Sequence, residues 1–228
     1  MAGHVTIVED HGLIAYTVAT GLRARGLDVE VVDATRTDDI VGAAATSGTD
    51  LVLLDLDLGA AGDATGLIAP LRELGAEVVM LTGVDDPIRH ARCVAAGAVG
   101  VLGKHIGFEE LLSAVRRVLA GDGLLSRDER DELLRRLREH DRDQHRRLAP
   151  FEALTTREAE VLGELMRGRT VEQIARESVV SVATVRTQVR AIRTKLGVSS
   201  QVAAIGRALQ AGWQPPAGGV GGRREPSA

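Results

Sequence analysis

Apolar residues in the first half of the chain come in short runs, each closed by acidic, threonine or glycine positions. Val5-Thr6-Ile7-Val8 leads into Glu9-Asp10, and Leu51-Val52-Leu53-Leu54 leads into Asp55-Leu56-Asp57. Val78-Val79-Met80-Leu81 ends at Thr82-Gly83, and Val99-Gly100-Val101-Leu102 precedes Lys104. Asp28-Val29-Glu30-Val31-Val32 alternates instead, as a half-buried strand does. Short apolar runs between turn signals read as strands of a parallel sheet, buried on both faces. Helical patterns separate them. Leu13, Val18 and Leu22 lie in a helical run that stops at Gly26, and an alanine-rich stretch follows around residues 40–45. A third pattern closes at Gly75, a fourth has Pro87 in its first turn and ends at Gly97, and a fifth covers residues 109–119. Five strands alternating with five helices predict an α/β fold, a doubly wound (βα)5 parallel sheet.

The pattern then changes to helices alone. Ser126-Arg127-Asp128-Glu129 is a capping box ahead of a highly charged stretch. Leu133, Leu134 and Leu137 give it one apolar face, residues 140–147 are polar all round, and Pro150 is expected to end it. Thr155-Thr156-Arg157-Glu158 and Thr170-Val171-Glu172-Gln173 are two more capping boxes. Ser181 caps a third helix reaching about Leu196, and Ser199 or Ser200 opens a fourth that ends near Gly212. The second half is therefore all-α, a small four-helix domain. Residues 213–228 are rich in proline and glycine and read as a disordered tail, with Trp213 packing on the last helix.

Composition adds two points. Aromatic residues make up 2% of the chain, which leaves no platform for stacking bases. The net charge of −4 hides an asymmetry. Residues 1–122 carry 9 Lys and Arg against 18 Asp and Glu, whereas residues 151–212 carry 9 against 6. The acidic half suits a cation and the basic half a polyanion. The single cysteine, Cys93, lies within a helical pattern and reads as a small core residue. No stretch has the length of a membrane span and the start has no signal pattern, so a cytoplasmic location is expected.

In a doubly wound sheet the C-terminal strand ends meet at one edge, where ligands bind. That edge collects Glu9 and Asp10, Asp55, Thr82 and Lys104. Converging carboxylates repel one another unless a cation intervenes, and oxygen ligands suit Mg²⁺. A hydroxyl and an ammonium opposite them are placed to bind the oxygens of a phosphoryl group carried on Asp55.

Glu9-Asp10-His11, Leu53-Leu54-Asp55-Leu56, Met80-Leu81-Thr82 and Gly97-Ala98-Val99-Gly100 with Lys104 together resemble the receiver domain of bacterial response regulators, over residues 4–121. The resemblance implies that Asp55 accepts phosphate from a histidine kinase. It implies that Asp10 binds Mg²⁺ directly, Glu9 mainly through water, and Asp57 through its backbone carbonyl. Thr82 and Lys104 would hold the phosphoryl oxygens. Four positions depart from the pattern. Leu58-Gly59 replaces Met-Pro after the acceptor strand, and Gly12 replaces a proline. The aromatic switch position is Val101, which has no ring to swing. A haloacid-dehalogenase-like phosphatase also carries an Asp-x-Asp such as Asp55-Leu56-Asp57. That family, however, places its acidic metal pair after the lysine, and Glu9-Asp10 comes first.

In the second half, Val185, Val189, Ile192 and Leu196 share one face of the third helix, and no acid occurs between Ser181 and Leu196. A short helix, a tight turn and a helix with a basic exposed face form a helix-turn-helix, whose second helix enters the major groove. Arginine bonds guanine bidentately and a threonine methyl meets thymine. Leu154-Thr155-Thr156-Arg157-Glu158-Ala159-Glu160-Val161-Leu162, Ile174-Ala175, the run from Val180 to Val189, and Lys195-Leu196-Gly197-Val198 resemble the LuxR-type DNA-binding domain. By that resemblance Arg186, Thr187 and Arg190 face bases, Thr184 and Lys195 lie near phosphates, and the last helix forms a dimer surface.

The expectation is a receiver over 1–122, a charged helical linker over 123–150, a LuxR-type domain over 151–212 and a tail over 213–228. Such a chain is a transcriptional response regulator of the NarL-like subclass and not an enzyme beyond its own phosphoryl transfer. Its expected partners are promoter DNA, a histidine kinase and a second copy on DNA. Val101 motivates one alternative, a phosphorylation-independent regulator whose receiver is a dimerisation or ligand module.

Overall fold

The computed structural model describes residues 3–32, 37–59 and 62–216, with the side chains of 37 and 38 excepted. These residues form two compact units divided between His140 and Asp141.

The first unit is a parallel sheet of five strands in the order β2-β1-β3-β4-β5. β1 is His4–Val8, β2 Asp28–Val32, β3 Leu51–Asp55, β4 Glu77–Thr82 and β5 Gly100–Gly103. Helices α1 (Gly12–Ala24), α2 (Thr37–Ser47), α3 (Ile68–Glu73), α4 (Pro87–Ala95) and α5 (Phe108–Leu119) connect and follow them. A single turn of 3₁₀ helix, Ala64–Leu67, precedes α3.

Alternation along the strands separates two cores. In β3, Leu51 and Leu53 face the cluster built with Ala15, Ala19 and Leu22 of α1 and Leu112 and Val115 of α5. Val52 and Leu54 face the other way, onto Ile40, Ile68, Leu71 and Cys93. Every residue of β3 is buried, because helices cover both of its faces. Cys93 is fully buried, as a small core residue. Strand order reverses between β1 and β3, so the crevice at their C-terminal ends is the topological switch point.

A 26-residue helix, α6, runs Arg127–Glu152 and begins at the expected capping box. Pro150 does not end it; the helix continues to Glu152. Pro150 has no N–H for the carbonyl four residues back, so the last turn loses one bond and the helix stops two residues later. Of the three stripe leucines, Leu137 is buried, and Leu133 and Leu134 are half-covered.

The second unit packs α7 (Thr156–Met166), α8 (Val171–Glu177), α9 (Val182–Lys195) and α10 (Gln201–Ala211) around one core. Both expected capping boxes are present, at Thr155 with Glu158 and at Thr170 with Gln173. Ser181 caps α9 and Ser200 caps α10. Val185, Ile192 and Leu196 are buried and Val189 half-buried, which is the expected inward face of α9. Trp213 is buried in this core and stacks on Phe151 at a ring separation of 5.3 Å. The tail beyond residue 216 lies outside the described residues.

Candidate functional site

Asp55 closes β3, and Glu9 and Asp10 follow β1, its sheet neighbour across the switch point. Glu9 and Asp55 are almost fully buried, at 4% and 1% exposure. Lys104, just past β5, reaches back across the sheet edge. Its ammonium donates to Asp55 Oδ2 at 2.7 Å and to Glu9 Oε1 at 2.9 Å. Burial pushes the Asp55 carboxyl above its usual value, against the pull of Lys104. Burial also disfavours the charged lysine, but the two carboxylates outweigh it and raise the ammonium above its ordinary value.

Ligand oxygens of Glu9, Asp10 and Asp55 and a ring nitrogen of His11 lie within 4.8 Å of one another. Glu9 Oε2 is buried, with Lys104 Nζ 2.7 Å away. Gly59 adopts φ +51°, and a Cβ on it would stand 2.7 Å from Asp10 Oδ2. The glycine that departs from the expected Met-Pro thus leaves room for the Asp10 carboxylate. Hard oxygen donors from three converging carboxylates fit a small divalent cation such as Mg²⁺.

His11 was not singled out as a ligand in the sequence, though it directly follows the acidic pair. Its Nδ1 lies 2.9 Å from Glu9 Oε1 and 2.6 Å from Asp10 Oδ1. The Glu9 bond, then Asp10, hold the imidazole pKa above its ordinary value.

The other expected residues are placed as follows. Thr82 is buried at the end of β4, with its hydroxyl exchanging hydrogen bonds with the backbone of Val84 at 3.1 and 3.2 Å. Asp57 donates its backbone N–H to Asp55 Oδ1 at 3.2 Å. Its side chain turns outward to Arg89 on α4, at 2.7 and 3.2 Å. Val101 is half-buried and packs with the aliphatic cluster around Met80. Arg89 and Asp63, which meet at 3.0 Å, give no sequence signal, because their partners lie 26 to 32 positions away.

In the second unit α8, a tight turn and α9 form the helix-turn-helix. Thr184, Arg186, Thr187 and Arg190 are all exposed on α9. Arg186 lies 3.4 Å from Glu172 of α8, and a groove on this face is lined by Arg186, Arg190, Arg193 and Gln201. Thr184 bonds the Ser181 hydroxyl at 2.8 Å, and Thr187 donates back to the Ala183 carbonyl at 3.0 Å. Lys195 ends the helix with its ammonium on Glu158 at 2.6 Å, a partner 37 positions away that sequence spacing did not reveal. Val179, in the turn between the helices, has φ +54° and is 89% exposed.

Comparison with known proteins agrees with this architecture. The family model "Response regulator receiver domain" matches residues 5–116, and "Bacterial regulatory proteins, luxR family" matches residues 152–208. The chain is 28% identical to the transcriptional regulatory protein LiaR of Bacillus subtilis (strain 168), over 88% of this chain and 93% of that one. It is 30% identical to the response regulator GacA of Pseudomonas aeruginosa, over 87% of this chain and 91% of the other. The fold is shared with the response regulator RcsB in its DNA complex, at a TM-score of 0.50 and 19% identity over 92% and 99% of the two chains. Among the described residues, no helix is long and apolar enough to cross a membrane. The chain belongs to the LuxR-type response regulators, DNA-binding transcriptional regulators that join a receiver domain to a LuxR-type helix-turn-helix domain.

Proposed function

We propose that Asp55 accepts a phosphoryl group from a histidine kinase in the cytoplasm, and that this controls dimerisation and promoter binding. The receiver would span 1–122, the linker 123–150 and the DNA-binding domain 151–212. The observation that carries this reading is the Lys104 ammonium held 2.7 Å from Asp55 in a buried acidic pocket at the switch point. In the transfer, an Asp55 oxygen forms a bond to phosphorus as the bond to the donor's leaving group breaks, and the electron pair departs with that group. Mg²⁺ bound by Asp10, Asp55, the Asp57 carbonyl and, through water, Glu9 would offset charge on the phosphoryl oxygens. Lys104 holds one of those oxygens. Thr82 would give up its bonds to Val84 to hold another.

On the DNA side, the exposed arginines of α9 support base contact by Arg186 and Arg190, with Thr187 beside them and Thr184 near phosphate. Lys195 serves phosphate contact only by leaving Glu158. Exposed Val202 and Leu209, seven residues apart on α10, support a dimer through that helix. Two linked copies bind paired half-sites more tightly than one, since the second contact becomes intramolecular.

The test is intact mass after incubation with Mg²⁺ and acetyl phosphate. Wild type is expected to gain one phosphoryl group, and Asp55→Asn none. A wild type that stays unmodified with both acetyl phosphate and a phosphorylated kinase overturns the reading and favours the phosphorylation-independent regulator.

A further inference from the structure

One residue separates the acceptor carboxylate from helix α4. Asp57 touches Asp55 with its backbone N–H on one side, at 3.2 Å. On the other side its carboxylate takes both prongs of the Arg89 guanidinium. Arg89 also binds Asp63, at 3.0 Å. Asp57 and Asp63 form a backbone bridge with each other across their loop. Arg89 itself sits in the first turn of α4, where its own N–H is bonded by the Asp86 cap at 3.2 Å.

This fork is well built. The Arg89 side chain is 26% exposed and its two carboxylate partners 54% and 53%, and the planar group that holds both tolerates little rotation. Both carboxylates belong to the loop that leaves the acceptor strand, so movement in that loop pulls on the first turn of α4. Charge at Asp55 also acts on it. Phosphorylation turns the Oδ1 that accepts the Asp57 N–H from part of an anion into a neutral acyl oxygen, which weakens that bond. At the same time it adds negative charge two residues from Asp57, whose carboxylate the guanidinium holds.

We propose that the Arg89 fork on Asp57 and Asp63 is the link through which the state of Asp55 reaches helix α4. This rests on the reading of Asp55 as the phosphoacceptor. Arg89 is a positioning residue: it meets no reacting atom, and it acts through the loop that it clamps.

The experiment records amide resonances of the ¹⁵N-labelled full chain before and after addition of Mg²⁺ and beryllofluoride, a phosphoryl mimic. In wild type, amides of Asp55 and Asp57 and those of Ile88, His90 and Ala91 on α4 are expected to shift. In Arg89→Gln the Asp55 and Asp57 shifts are expected to persist while the α4 shifts shrink at least fivefold. Asp57→Asn should produce the same loss, and the double variant no further loss, because both ends belong to one link. Retention of the α4 shifts in Arg89→Gln, with Asp55 still responding, overturns the link alone. A wild type in which nothing near Asp55 shifts overturns the phosphoacceptor reading and the link with it.

Discussion

Lys104 Nζ and Asp55 Oδ2 lie 2.7 Å apart although 49 positions separate them in the chain. β4 and β5 carry the lysine to the acceptor, and the lysine compensates two buried carboxylates at once, since Glu9 Oε2 is also 2.7 Å away. Lys104→Ala leaves Glu9 and Asp55 without a cation, which costs about 3 kcal/mol where a buried pair loses one partner. Segment-resolved hydrogen exchange across β3 should show this loss. Saturating Mg²⁺ should recover much of it, because a ligand that binds only the folded state stabilises by mass action.

Gly59 is a second checkpoint on the same pocket. Alanine there meets both a left-handed backbone and the Asp10 carboxylate at 2.7 Å. Gly59→Ala is expected to weaken Mg²⁺ binding about tenfold, which is roughly 1.4 kcal/mol, by calorimetric titration. Gly62 has φ +79° but open space around it. Gly62→Ala should therefore cost stability and leave Mg²⁺ affinity unchanged.

Val179 carries strain that no packing offsets. A β-branched residue at φ +54° is an outlier, and 89% exposure leaves it little to bury. Val179→Asn is expected to stabilise the second unit by about 1 kcal/mol. For a domain of this size that raises the melting midpoint by about 4–8 °C. An unchanged midpoint would show that the turn is not strained.

Acid should unfold the second unit through Glu158. Burial pushes this carboxyl up, but the bonds from Lys195 and the Thr155 N–H outweigh it and hold the pKa below its ordinary 4.5. A carboxyl depressed on folding contributes stability above its unfolded pKa, and that contribution is lost as pH falls through the folded value. Stability of the unit should drop below about pH 4.5. Glu158→Gln should start lower by about 1–2 kcal/mol and flatten the acid limb.

Much of this was legible in the sequence because it is local. Strand runs, caps and the acidic strand ends are patterns within ten residues, and the parallel topology then delivers Glu9, Asp55 and Lys104 to one edge. What escaped is set by tertiary contact. Arg89 with Asp57 and Asp63, and Lys195 with Glu158, join residues 26 to 37 positions apart. Pro150 costs the last turn of α6 one bond without stopping it at once, and Gly59 reads as a departure until Asp10 is placed against it. Val101 is a half-buried aliphatic residue packed on the core where the family resemblance calls for a ring.

The central claim is that a phosphoryl group on Asp55 changes how tightly the α9 face holds DNA. The most direct measurement is the affinity of one preparation, before and after phosphorylation, for a duplex selected from a random library, with Asp55→Asn alongside. Tighter binding by phosphorylated wild type alone, falling steeply with added salt, is the expected result. Full phosphorylation with unchanged affinity would contradict the claim.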